Sequence, residues 1–216
     1  MSVFVRPNFD KVSEFSFKWC EKLIKDLGIK DFVDLAGNLA TRENTEKALK
    51  ENPSADFIFY NHGDKQGLLA QNGEGYIIDK RNSSALQRRV AYSMACLWCS
   101  DGGADAYRKG AKIVWGYKDA FSFMAQAEEI YGRLANMGLL LVKNDGLSWR
   151  QAYEKVIEAF NEEIKKAETG DPWVEITLIN DRDALVCWAT WNEPSTETFL
   201  EMIIRMILNF LRRIFG

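Results

Sequence analysis

Short runs of β-branched and aromatic residues alternate along this chain with longer stretches whose apolar residues recur at helical spacing, and few folds accept that order. Val3-Phe4-Val5 reads as a strand, and Phe9, Val12, Phe15, Cys20, Leu23, Ile24 and Leu27 then mark one helical face that Gly28 closes. A second strand is expected near Phe32-Val33-Asp34-Leu35, followed by a helix over residues 41–50 and a break at Asn52-Pro53-Ser54. Phe57-Ile58-Phe59-Tyr60 and Val90-Ala91-Tyr92-Ser93-Met94-Ala95 are further strands, with Asn72-Gly73 between apolar arms predicting a β-hairpin between them. Beyond them the spacing predicts a helix over 101–108, a strand over 112–117 and a helix over about 121–137. Ser148 and Gln151 form a capping box for the next helix, and 173–179 with 184–191 read as a hairpin around Asn180-Asp181-Arg182-Asp183. A βαβα order of this kind implies an α/β fold with a mostly parallel central sheet.

Length bounds the count of domains: 216 residues suit one α/β domain over 1–192 with an appended segment over 193–216. A formal net charge of -3, with no block of Lys and Arg, argues against a nucleic-acid partner. Four cysteines are too few for a disulfide scaffold, and Met1 to Pro7 carries neither a basic lead nor an apolar signal core, so a reducing cytoplasm is the expected compartment. No run of 18 uncharged apolar residues is present, which argues against a membrane span.

The segment 195–216 is apolar around most of a helical circumference, leaving Glu201, Arg205, Asn209, Arg212 and Arg213 as a narrow polar stripe. Burial between layers, a homo-oligomer interface, or shallow contact with a membrane surface each fit such a helix.

Chemistry concentrates in two places. His62, the only histidine, follows one apolar strand and precedes Gly63; Cys96 ends another, 34 residues on. A thiol is a useful nucleophile as thiolate, and an imidazole is the usual side chain to take its proton, so the pair suggests a Cys-His dyad. In an open α/β sheet ligands gather outside the C-terminal ends of strands, where both residues fall. Alone, each has a plainer reading: a lone histidine is most often structural, and a lone cysteine is a small buried hydrophobe, as Cys20 and Cys187 are expected to be. Cys96-Leu97-Trp98-Cys99 also fits a C-x-x-C dithiol, although the first proline after it is Pro172, too distant to complete a thioredoxin-like site. Zinc would need ligands from unrelated segments, so no metal or cofactor is expected.

Apolar strand then His62-Gly63, and apolar strand then Ala95-Cys96, resembles the caspase-like cysteine peptidases. Gly102-Gly103-Ala104 through Trp115-Gly116-Tyr117 resembles the helix and strand that follow the nucleophile in their gingipain and CHAT branch, and the resemblance spans roughly residues 1–125. It implies a caspase-like three-layer α/β/α sandwich, here with a C-terminal β-hairpin and apolar helix. It implies an endopeptidase acting on peptide or protein substrates, with Cys96 as nucleophile, His62 as acid-base and the backbone N–H groups of Gly63 and Cys96 as oxyanion hole. Asp64, Met94, Tyr117 and Asp119 are candidates for lining a substrate pocket. Met94 stands where relatives that cleave after basic residues carry an aspartate, and the plainer reading of Asp64 and Asp119 is solvated loop carboxylates. Members of this class that have lost catalysis serve as interaction modules, so fold alone does not settle activity.

Overall fold

The computed structural model describes residues 1–192. The expected helix and its fates over 195–216 therefore lie outside the described residues. Strand β1 (Ser2–Arg6) leads through Asp10, which caps α1 (Lys11–Leu27), and Gly28 ends that helix at φ 61°. Next come β2 (Phe32–Ala36), α2 (Arg42–Glu51) with Thr41 as its cap, and β3 (Asp56–Tyr60). β4 (Gly67–Leu69) and β5 (Tyr76–Asp79) pair antiparallel as the expected hairpin, although its loop takes in 70–75 and not the Asn72-Gly73 pair alone. β6 (Val90–Met94), α3 (Gly102–Arg108), β7 (Ile113–Tyr117), α4 (Glu128–Lys143), α5 (Trp149–Ala167), α6 (Pro172–Ala184) and β8 (Leu185–Trp188) complete the order.

Six strands form one sheet in the order β2-β1-β3-β6-β7-β8, parallel except for β8. Because helices cover both faces, the strands are apolar at nearly every position. Phe4, Ile58, Tyr60 and Tyr92 pack toward α1, α4 and α5, whereas Val3, Val5, Phe57, Phe59 and Ala91 join the layer under α2, α3 and the hairpin. Among the described residues no helix is long and apolar enough to cross a membrane.

Two expectations are corrected. The hairpin placed at 173–191 does not form: 172–184 is α6, and β8 pairs with β7 instead. Its signals were Asp171, whose carboxylate accepts the Trp173 N–H at 2.9 Å, and Pro172 at the first helical position. Val174, Leu178, Asp181 and Ala184 then fall on the buried face at helical spacing. The helix expected from 121 begins only at Glu128; Phe121 and Phe123 alternate with Ser122, and 118–124 crosses the end of the sheet without regular structure.

Arg89, immediately before β6, is structural. Its buried guanidinium donates to the carbonyls of Ala85, Asn52, Ala55 and Leu49, stitching the end of α2 to the approach of β6. Arg89→Ala removes the guanidinium donor from all four carbonyls and is expected to cost about 3 kcal/mol. That corresponds to a melting temperature roughly 10 °C lower; a variant melting within about 2 °C of the parent would contradict this role.

Candidate active site

Three neighbouring strands, β1, β3 and β6, deliver their C-terminal ends to one place, next to the point where the strand order reverses between β1 and β3. Tyr60 and Met94 are register partners, and the Asn61 N–H donates to the Met94 carbonyl at 3.3 Å. His62 and Cys96 each lie two residues beyond that pair, on strands about 4.8 Å apart. Both line one cavity of about 30 Å³, together with Val12, Ser16 and Trp19 of α1, Met94, and Phe121 and Phe123 of the crossing segment. That space is about the volume of one water molecule.

His62 is held from three sides. Asn61 accepts the His62 backbone N–H with its own side-chain oxygen and donates its amide to the Pro7 carbonyl at 2.6 Å. The Phe9 ring lies 5.6 Å from the imidazole. The His62 Nε2 stands 2.9 Å from Asp10 Oδ2, and the other Asp10 oxygen accepts the Ser13 N–H at 2.7 Å. Burial works against charge on Asp10, but Ser13 and His62 together hold its carboxyl below the usual aspartate range. An ionised Asp10 accepting the Nε2 proton leaves Nδ1 as the basic nitrogen of the ring. Sequence reasoning missed Asp10, which had been absorbed into the start of a helix; its signal was a D-x-x-S cap immediately after a strand at the switch point.

Cys96 sits on a sharp turn. Leu97 follows it at φ 60°, a left-handed conformation for a branched residue, while the Trp98 N–H closes back on the Cys96 carbonyl at 2.6 Å and the Leu97 N–H donates to the Asp119 carbonyl at 3.0 Å. The Cys96 thiol donates to the Phe121 carbonyl at 3.6 Å. Burial raises its pKa, and Asp181 and Asp119 add to the rise, so the thiol rests protonated. A Cβ at Gly63 would stand 3.0 Å from Ala95 Cβ and 3.3 Å from the Cys96 carbonyl, so a larger residue here would push the two loops apart by a few tenths of an ångström. Among the described residues no backbone–backbone hydrogen bond uses the N–H of Gly63.

The other candidates separate. Met94 lines the cavity. Asp64 does not serve a pocket: its two oxygens accept the Gln66 and Gly67 N–H groups and the Tyr76 hydroxyl, tying the β4–β5 hairpin. Tyr117 is core, 2% exposed with its ring 4.7 Å from Phe121. Asp119 is exposed and borders a separate depression with Lys118 and Asp183. Cys99 is fully buried beneath Gly103 and Gly116, in the layer under α2 and α3, while Cys96 faces the cavity beside α1. A second residue that spacing overlooked is Asp181, wholly buried on α6, with one oxygen accepting the Ser122 N–H at 2.8 Å and the other without a partner. Among the described residues no group of three or more His, Cys, Asp or Glu could hold a metal ion. Compared with protein-family models and with curated proteins, the chain matches none.

Proposed function

We propose that this chain is a cysteine endopeptidase with a caspase-like fold, acting on peptide or protein substrates through Cys96, His62 and Asp10. The observation that carries this reading is the meeting of Cys96 and His62 around one cavity at the ends of adjacent parallel strands, with Asp10 against the imidazole. In the reaction His62 Nδ1 takes the thiol proton as sulfur bonds to the substrate carbonyl carbon, and the backbone N–H groups of Gly63 and Cys96 hold the oxyanion. The same imidazole returns the proton to the departing amine, leaving an acyl-enzyme, and then activates the water that releases the acid. Asp10 is a positioning residue that keeps the ring oriented. Four unpaired thiols fit a reducing cytoplasm.

Asp10→Asn retains a helix-capping side chain but removes the charge, so folding should hold while hydrolysis falls roughly 100-fold, mostly in kcat. Equal activity in the two proteins would remove Asp10 from the mechanism.

A second reading, an inactive interaction module of the same fold, draws on the near-filled cavity and the protonated thiol. The dithiol reading is disfavoured because Cys96 lines the cavity beside α1 whereas Cys99 is packed in the opposite layer against Gly103 and Gly116. Labelling with acyloxymethyl ketones varied at the specificity position separates the three. Label lost in Cys96→Ala and His62→Ala but kept in Cys99→Ala supports the peptidase; no label with any probe supports the module; dependence on both cysteines but not on His62 restores the dithiol.

A further inference from the structure

Residues 118–124 lie across the candidate site with no helix or strand hydrogen bonding of their own. Phe123 meets Trp19 and Phe15 edge to face, at 5.1 and 5.0 Å between ring centres, and Phe121 packs on Tyr117. The Phe121 carbonyl takes the Cys96 thiol, and the Lys118 N–H donates to the Ala184 carbonyl at 2.8 Å. Since the space beside the part-exposed Cys96 is about 30 Å³, a substrate residue can seat against the sulfur only if Phe121 and Phe123 move. The Asp119 carbonyl accepts the Leu97 N–H at 3.0 Å, and beyond it the Ser122 N–H donates to the Asp181 side chain at 2.8 Å. That acceptor is unusual: a carboxyl at 0% exposure whose second oxygen has no partner, on the buried stripe of α6 where spacing calls for an apolar residue.

We propose that residues 118–124 form a cap that closes the Cys96 site, latched by Ser122 onto protonated Asp181, and that loss of the Asp181 proton releases it. The inference rests on Cys96 being the reactive thiol of the proposed site. The titratable groups facing Asp181 are Cys96 from the β6 turn, Tyr117 of β7 and Tyr131 of α4. None of them is a cation, and on its own helix Arg182 pairs with Asp183. Only the Ser122 N–H favours a carboxylate there, and burial outweighs it. Burial pushes the Asp181 carboxyl up to about 8 in the closed form, whereas in the open form water returns it to about 4. Below pH of about 4 both forms carry the proton, and above about 8 neither does. Between those limits the open form gains on the closed one as pH rises, by up to about tenfold per unit.

Asp181→Asn keeps the acceptor for Ser122 and has no proton to lose, so it stays latched. The test is alkylation of Cys96 by iodoacetamide in the full chain, as a ratio of parent to Asp181→Asn; the Asp181 charge holds the thiol pKa up in the parent alone, which works against the expected rise. The ratio is expected to rise at least tenfold from pH 6 to pH 8 while the buried Cys20, Cys99 and Cys187 stay unlabelled. Hydrogen exchange of peptides covering 118–124 should lose protection over the same interval in the parent and keep it in the variant. A flat ratio, or alkylation of the three buried cysteines in step with Cys96, overturns the cap. Iodoacetamide needs no peptide recognition, so the expected pH pattern without hydrolysis of any peptide keeps the cap and discards the peptidase, and hydrolysis with a flat ratio does the reverse.

Discussion

Cys96→Ala is expected to lower peptide hydrolysis by at least about 10⁴-fold, to the level of whatever binding and the oxyanion donors supply without a nucleophile. No other residue at the cavity can take its place. Ser16 is the one hydroxyl lining it, and its Oγ is committed to the Ser13 carbonyl at 3.0 Å inside α1. The substitution is also mild for the fold, because it removes one sulfur whose contact with the Phe121 carbonyl is long and weak. Loss of turnover with an unchanged melting temperature is therefore the predicted pair of results. A variant that keeps more than a tenth of parental hydrolysis would sink the nucleophile assignment.

His62→Ala is expected to cost about 10³-fold, within the range that a positioned acid-base contributes. What remains should depend on pH differently from the parent. With no imidazole to take the proton, sulfur must ionise unaided, and burial together with the charges of Asp181 and Asp119 makes that harder than for a free thiol. Residual activity should thus climb as pH rises through and beyond about 8.5, the range of an ordinary cysteine. A pH profile superimposable on that of the parent would show that His62 does not handle the thiol proton.

Much of the scaffold was readable before any coordinates, and for a physical reason. Strands buried on both faces have to be apolar, so Val3 to Val5, Phe57 to Tyr60 and Val90 to Met94 announce themselves, and the caps at Thr41 and Ser148 fix helix starts through local hydrogen bonds. The juxtaposition of His62 and Cys96 was legible too, because both follow strands that a parallel sheet brings side by side. What was misread involves tertiary override. The 173–179 run carries Trp173 and Ile176 on an exposed face, at 66% and 48%, which disguised a helix as alternating strand. The aromatic residues at 121 and 123 were spent on covering Cys96 and not on a helical face. Asp64 and Tyr117 lie near the site in sequence, but hydrogen bonding and packing claim them elsewhere. Asp10 and Asp181 were invisible because each acts through a partner 52 or 59 residues away.

Asp10 carries a narrower licence than either of its tasks would impose alone. Serine, threonine and asparagine all begin helices well, but a hydroxyl is too short to span the gap that Asp10 Oδ2 closes to His62, and an amide meets the ring without charge. Glutamate would supply charge and reach, yet it is outside the set of good helix starters. One position thus has to satisfy a backbone rule and a side-chain rule together, and aspartate alone among the twenty meets both. Under the proposed mechanism, variation that a helix would tolerate at this point lowers hydrolysis, so the start of α1, far from Cys96 in the chain, becomes one of the positions least free to change.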